Sequence, residues 1–301
     1  KVSRPVYYCS LIYCSLYFLL MIQSVSVVGA VTMGSSIALA AAIKQLPVIL
    51  CDINIEVLDK AKNTIIRNLQ TLVEKQKISV EQKEAAWNRI SFTQFVSDCK
   101  TQLIIEAIVE KLEVKIALFQ QLALGNGQHT ILASNTSSLS IASIQNALPH
   151  PERIAGLHFF NPAHIMKLVE VVKAVNTSDD TAQQLLQFCK SINKIPVLCK
   201  DAPGFIVNRV ARHYYLEAMH LVQTGNTTIE QADAALENAG FKMGPFKLMD
   251  LIGLDINLAV TQSLFEAFNH APRFTPSPLQ MEKVKKNELG RKTGKGFYTY
   301  K

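Results

Sequence analysis

The stretch Val25-Ser-Val-Val-Gly-Ala-Val-Thr-Met-Gly34 runs from a β-branched segment through two glycines five residues apart into the Ala-rich run Met33–Ile43. A short apolar strand, a glycine turn and a helix in that order form the context in which a dinucleotide-binding fingerprint carries meaning. Gly29 suits the tight turn and Gly34 the close packing of helix on strand. The helix start at Thr32 and Met33 offers N–H groups and a partial positive charge to a diphosphate. Asp52, 18 residues beyond Gly34, ends a second apolar run, Val48–Cys51. There its carboxylate would accept hydrogen bonds from an adenosine ribose and repel a 2′-phosphate, which favours NAD over NADP. The central fingerprint position holds Val31, whose branched side chain stands where a backbone would approach a diphosphate. An ordinary strand–turn–helix connection without ligand is the alternative reading.

Working outward, apolar runs of strand length recur at Leu103–Ile105, Ile131–Ala133, Ile154–Leu157, Leu168–Val172 and Ile195–Leu198. Helical stretches at Glu56–Gln76 and Leu112–Leu124 lie among them. The first carries Leu58, Ile65, Leu69, Leu72 and Val73 at amphipathic spacing. Such alternation predicts an α/β fold of Rossmann type, a doubly wound and mostly parallel sheet covered on both faces. At Asp201-Ala-Pro-Gly204 the character changes. Helices are predicted over Phe205–Thr224, Ile229–Ala239, Phe246–Asn269 and Leu279–Leu289, with Thr227 and Glu230 at capping-box spacing and Gly290 at a helix end. The expected plan is an apolar extension over 1–20, a dinucleotide-binding domain over 21–200 and a smaller all-helical domain over 201–301.

The 301 residues are 49% apolar and 18% charged, with mean hydropathy +0.15, which excludes a disordered chain. A net charge of +7 is diffuse, so nucleic acid is not an expected partner while small anions are. The six cysteines form no CxxC pair or Cys/His metal spacing; reduced thiols in a cytoplasmic setting and no metal are expected. No charged residue lies between Pro5 and Ile43. Val6–Leu20 has membrane-like hydropathy but reaches a spanning length only by borrowing Met21–Val28 from the first strand. A non-native extension, a membrane-proximal anchor and a targeting segment stay open for it. Membrane contact is otherwise not expected, and Met21 is the expected start of the fold.

Three stretches hold polar groups that a packed core does not need. Ser134-Asn-Thr-Ser-Ser138, with Asn135 and Ser137, follows an apolar strand, where open α/β sheets bind ligands. Gly156-Leu-His-Phe-Phe-Asn-Pro162 ends another with His158 and Asn161. Glu170 lies inside the apolar run Leu168–Val172, where a carboxylate is costly unless paired. A His158–Glu170 pair at the sheet edge would make a general base, the carboxylate fixing the tautomer. Separately, His158 reads as a satisfied core histidine and Glu170 as an edge residue facing water.

From about Met21 onward the chain resembles the L-3-hydroxyacyl-CoA dehydrogenase family. The strings EAIVE (106–110), ASNTSSL (133–139), GLHFFNP (156–162), MKLVEVV (166–172), DAPGFIVNRV (201–210), MGPFKLMDLIGLD (243–255) and GRKTGKGFY (290–298) carry the resemblance in order and spacing. It implies NAD-dependent, reversible oxidation of a (3S)-3-hydroxyacyl-CoA to the 3-ketoacyl-CoA, as in fatty-acid and butanoate metabolism. His158 would be the base, Glu170 its orienting partner, and Ser137 and Asn208 hydrogen-bonding groups for the substrate's oxygens. Glu110, Lys115, Asn135, Asn161 and Lys292 match positions near the cofactor; Asn68 and Lys75 match positions near CoA, Asn68 where a serine is common. The resemblance also implies a substrate held between the two domains, a homodimer through the helical domain, and the mitochondrial matrix as the alternative compartment. Val31 and Ser36 stand where the family has, or often has, glycine. That departure leaves a rival reading, a non-catalytic or cofactor-impaired acyl-CoA-binding paralogue; a dehydrogenase of another 3-hydroxy acid is a third.

Overall fold

The computed structural model describes residues 22–300. The Val6–Leu20 extension, with Cys9 and Cys14, lies outside them. The chain divides into two compact units, one ending at Asp201 and the other beginning at Ala202.

In the first unit the chain order is β1 (Val25–Val28), α1 (Thr32–Ile43), β2 (Val48–Cys51), α2 (Ile55–Glu74), α3 (Val80–Asn88), β3 (Ile90–Thr93), β4 (Leu103–Glu106), α4 (Leu112–Gly125), β5 (Ile131–Ser134), α5 (Ile141–Gln145), β6 (Ile154–Phe159), β7 (Leu168–Lys173), α6 (Asp179–Ser191) and β8 (Ile195–Lys200). The strands form one sheet in the order β3-β2-β1-β4-β5-β6-β7-β8. Only the β6–β7 pair is antiparallel. Every residue of β1, β4, β5 and β6 is buried, which is why these strands read as unbroken apolar runs rather than as alternations. Helix α1 is buried from Gly34 to Ala42, apolar all round. Helix α2 buries Leu58, Ala61, Ile65 and Leu69 on one stripe, each large side chain contributing roughly 1.5–3 kcal/mol.

Elements α3, β3 and α6 do not stand out in the sequence. Helix α3 buries only Ala86, so it has no apolar stripe, and its signal is a capping box between Ser79 and Gln82. Helix α6 begins at the Ser178 cap and carries Asp179 and Asp180 in its first turn.

The second unit holds α7 (Val207–Gln223), α8 (Ile229–Asn238), α9 (Pro245–Ile252), α10 (Leu254–Ala267) and α11 (Pro278–Lys285). Four expectations are corrected here. The single helix over Phe246–Asn269 is two, bent by 100° at Gly253, whose φ of +103° ends one helix and caps the next. The capping box uses Thr228 and Gln231, not Thr227 and Glu230. The last helix stops at Lys285. Gly290 therefore does not end that helix; it precedes a short 3₁₀ turn over Arg291–Thr293 and pairs with Lys295 in a bridge. Tyr215, Met219, Phe246, Met249 and Leu254 form this unit's core. No single described helix is long and apolar enough to cross a membrane.

Gly34 sits where a Cβ would lie 1.7 Å from the Gly29 carbonyl oxygen, whereas a Cβ on Gly127 would meet nothing within 4 Å. Gly34→Ala is therefore expected to lower stability by about 2 kcal/mol or more, and Gly127→Ala to stay within about 0.5 kcal/mol of the parent. Urea unfolding of both checks this, and equal midpoints would contradict it.

Candidate active site

The carboxyl ends of β1, β4, β5 and β6 open on one edge of the sheet. There β1 turns through Gly29, whose φ is +99° and whose missing Cβ would lie 2.5 Å from the Ala107 carbonyl. No side chain caps α1 and no acidic residue occupies its first turn, which leaves its terminal N–H groups to a ligand. Val31 has an ordinary φ of −72° and is 60% exposed, so its side chain projects outward without distorting the turn. Asp52 braces the turn: its carboxylate accepts from the Ala30 N–H at 2.8 Å and from the Asn54 N–H at 3.0 Å. Each oxygen keeps a second lone pair for a ligand hydroxyl. This donor and acceptor set fits a dinucleotide.

Ser36, at the other departure from the glycine pattern, is buried on α1 and has a partner. Its Oγ lies 2.8 Å from His164 Nδ1 and accepts from the His164 N–H at 3.1 Å. Burial, helped by the Lys194 charge, lowers the His164 pKa. Beside it, a cavity of about 540 Å³ is lined by Val31, Thr32, Lys60, Arg67, Asn68 and His164 among others, and by no carboxylate. Lys75 is exposed at the end of α2, two helical turns beyond Asn68.

The β6–β7 register sets His158 directly opposite Glu170. Nδ1 and Oε2 are 2.7 Å apart, with His158 6% and Glu170 1% exposed. A carboxylate can only accept, so Nδ1 donates and Nε2 is the basic atom of the ring. Phe160 packs at 4.5 Å between ring centroids. Asn135 ties β5 to β6, its Oδ1 accepting from the Phe159 N–H at 2.9 Å.

The loop carrying Ser137 is held from the segment that leads into α4. Glu110 Oε1 accepts from Thr136 Oγ1, from the Ser137 N–H at 3.0 Å and from Ser138 Oγ at 3.2 Å. Burial disfavours the Glu110 charge, but the Lys115 ammonium at 3.1 Å and these bonds outweigh it and hold the carboxyl below its usual range. Lys115, only 1% exposed, lies 2.6 Å from Glu106.

The first unit thus brings together Gly29, Thr32, Gly34, Asp52, Glu110, Lys115, Asn135, Ser137, His158 and Glu170 along one sheet edge. Met33 is instead turned into the core, against which it packs. Asn161 follows β6 on an exposed turn. Asn208 and Lys292 belong to the second unit. There the Asn208 carbonyl accepts from Arg212 Nε at 3.2 Å, and Lys292 pairs with Asp255 at 2.6 Å. Sequence reasoning missed Glu106, Thr136, His164 and Lys194. Glu106 alone left a signal, a carboxylate ending the apolar run Leu103–Ile105.

Lys194 anchors the loop after β6: buried, its Nζ donates to the carbonyls of Ala163 at 2.6 Å and Met166 at 2.8 Å. Burial and the nearby Lys167 and Lys44 charges push it down to about 8, against a small opposing pull from Cys189. The protonated form is penalised by folding, so the penalty is complete below about pH 8 and disappears as pH rises toward 10.5. Lys194→Met should remove that part of the pH dependence. Thermal unfolding of parent and variant across this range should show the steeper gain in the parent, and parallel curves would contradict the assignment.

The family model described as 3-hydroxyacyl-CoA dehydrogenase, NAD binding domain, matches residues 24–202, and that described as 3-hydroxyacyl-CoA dehydrogenase, C-terminal domain, matches residues 204–300. The chain is 46% identical over 282 residues to the 3-hydroxyadipyl-CoA dehydrogenase of Escherichia coli, covering 93% of this chain and 59% of that protein. It is 42% identical over 290 residues to the mitochondrial hydroxyacyl-coenzyme A dehydrogenase of Sus scrofa, covering 94% and 92%. The solved structure of (S)-3-hydroxybutyryl-CoA dehydrogenase from Ralstonia eutropha superposes with a TM-score of 0.89 at 36% identity, covering 93% of this chain and 99% of that one.

Proposed function

This chain belongs to the 3-hydroxyacyl-CoA dehydrogenase family, and from that premise we propose that it catalyses the NAD-dependent, reversible oxidation of a (3S)-3-hydroxyacyl-CoA to the 3-ketoacyl-CoA with His158 as the general base. The observation that carries the residue assignment is the buried His158–Glu170 pair at 2.7 Å. Glu170 holds the Nδ1 proton, orients the ring and stabilises the imidazolium that forms when Nε2 takes the 3-hydroxyl proton. In the reverse direction the same imidazolium returns that proton to the carbonyl oxygen. Ser137, on the loop fixed by Glu110, hydrogen-bonds the reacting oxygen, and its gain comes from positioning.

The uncapped α1 terminus receives the diphosphate of NAD, with Gly29 and Gly34 letting the turn and helix close up and Asp52 taking the ribose hydroxyls. One chemistry is supplied by the bound dinucleotide, acceptance of the hydride that leaves C3. Asn135 and Asn161 frame the cofactor side. Asn68 and Lys75 on the α2 face serve the CoA moiety, and the cations Lys60 and Arg67 in the carboxylate-free cavity suit its phosphates. A homodimer through the helical unit is part of the same reading, supported by the exposed apolar Leu251 and Ile256 there.

With acetoacetyl-CoA and NADH, the protein should consume NADH, followed by its absorbance. His158→Gln should lower kcat by about 10³-fold or more and Glu170→Gln by about 10-fold to 10²-fold, both variants remaining folded by circular dichroism. Near-parental turnover in both would sink the base assignment.

The Asp52 charge should also set cofactor choice, with kcat/KM for NADH at least about 10-fold above that for NADPH. Asp52→Ser should narrow the ratio; equal values in the parent would contradict the reading.

A further inference from the structure

Glu106 is the last residue of β4 and has no exposure at all. Both of its oxygens are engaged: Oε1 takes the Ile108 N–H at 2.8 Å and Lys115 Nζ at 2.6 Å, and Oε2 takes Ser134 Oγ at 2.6 Å. The Glu106 carbonyl receives the Asn135 N–H at 2.8 Å. One residue therefore grips the start of the Ser134–Ser138 loop from two sides and the buried ammonium from a third.

Lys115 in turn stands between two carboxylates, Glu106 at 2.6 Å and Glu110 at 3.1 Å. Glu110 is 38% exposed at its side chain, and an exposed glutamate ordinarily samples many rotamers. Here its carboxylate must stay put, because Oε1 gathers the Thr136, Ser137 and Ser138 donors. The ammonium that fixes it is itself fixed from below by Glu106.

We propose that Glu106 is a positioning residue for the reaction: through Lys115 it fixes Glu110, and through Glu110 the loop that presents Ser137. This rests on the reading of Ser137 as a substrate-binding group. Glu106 touches neither substrate nor cofactor. Its carboxylate converts a buried lysine into a rigid post, and the loop is strung from that post.

Amide exchange of Ser137 and Leu139, whose N–H groups bond Glu110 and Thr136 Oγ1, reads the loop independently of turnover. In Glu106→Gln, exchange at both should quicken by about 10-fold or more, and kcat/KM for acetoacetyl-CoA should fall at least about 10-fold. Lys115→Met should reproduce both effects. The double variant Glu106→Gln/Lys115→Met removes both fully buried charges and leaves only the half-exposed Glu110, so its Tm should recover relative to Glu106→Gln while the loop stays fast-exchanging and turnover stays low. It also carries the comparison if Glu106→Gln does not fold. Parental exchange at Ser137 and Leu139 in Glu106→Gln, or a double variant that regains loop protection and turnover together with Tm, would overturn the proposal. A parent protein that fails to consume NADH with acetoacetyl-CoA would instead remove the functional reading, and the exchange comparison would still decide the role of Glu106.

Discussion

An imidazole and a carboxylate meet here because the sheet reverses direction between β6 and β7, the last two strands running opposite to the other six. The β6–β7 pair places His158 and Glu170 across from each other in register, so their side chains share a face by construction. Because side chains alternate along a strand, a slip of one residue would turn Glu170 to the opposite face and leave it buried without a partner. The apolar neighbours Val169 and Val171, both fully buried, hold the register against that slip. Burial of a lone carboxylate is so unfavourable that the pairing and the register enforce one another. The rest of the site is arranged around that pair.

The same logic separates the buried cations. Lys115 lies between two carboxylates. Breaking such a buried pair by removing one partner costs roughly 3–5 kcal/mol, because a charge is left uncompensated. Lys194 is buried to a similar degree but meets only backbone carbonyls, and its pKa drops. The two buried lysines thus differ in their partners: the first is held between carboxylates, and the second ties down the loop after β6.

Legibility in the sequence followed the range of the physics involved. Central strands such as Leu103–Glu106 and Ile131–Ser134 are legible because burial on both faces favours an unbroken apolar run, here the three residues that open each strand. Glu170 stood out as a charge inside such a run. Glu106 offers the same contrast at the end of one, where a strand boundary makes a polar residue unremarkable. Helix α3 had no apolar stripe to show, and the Phe246–Asn269 reading followed an apolar pattern across Gly253 without the left-handed φ that ends it. The Ser36–His164 bond joins residues 128 apart in the chain, and no local pattern announces such a partner. Motif resemblance located Ser137, Asn208 and Lys292 as residue types, but the partners that hold them had to come from packing.

The two departures from the glycine pattern separate three jobs that one fingerprint combines. Gly29 is required by conformation, since its φ is positive and its missing side chain would strike a neighbouring carbonyl. Gly34 is required by proximity of helix to strand. Position 31 is required by neither: its φ is ordinary and its side chain is exposed, so valine costs the fold nothing and bears only on how closely a ligand reaches the backbone. At position 36 the added hydroxyl is buried, where an unsatisfied oxygen would be costly, yet His164 supplies both an N–H and a ring nitrogen to it. A substitution that would otherwise strand a polar group instead ties α1 to the loop after β6. The turn retains the glycines its backbone needs, and the positions that lost them are those where a side chain has either open space or a partner.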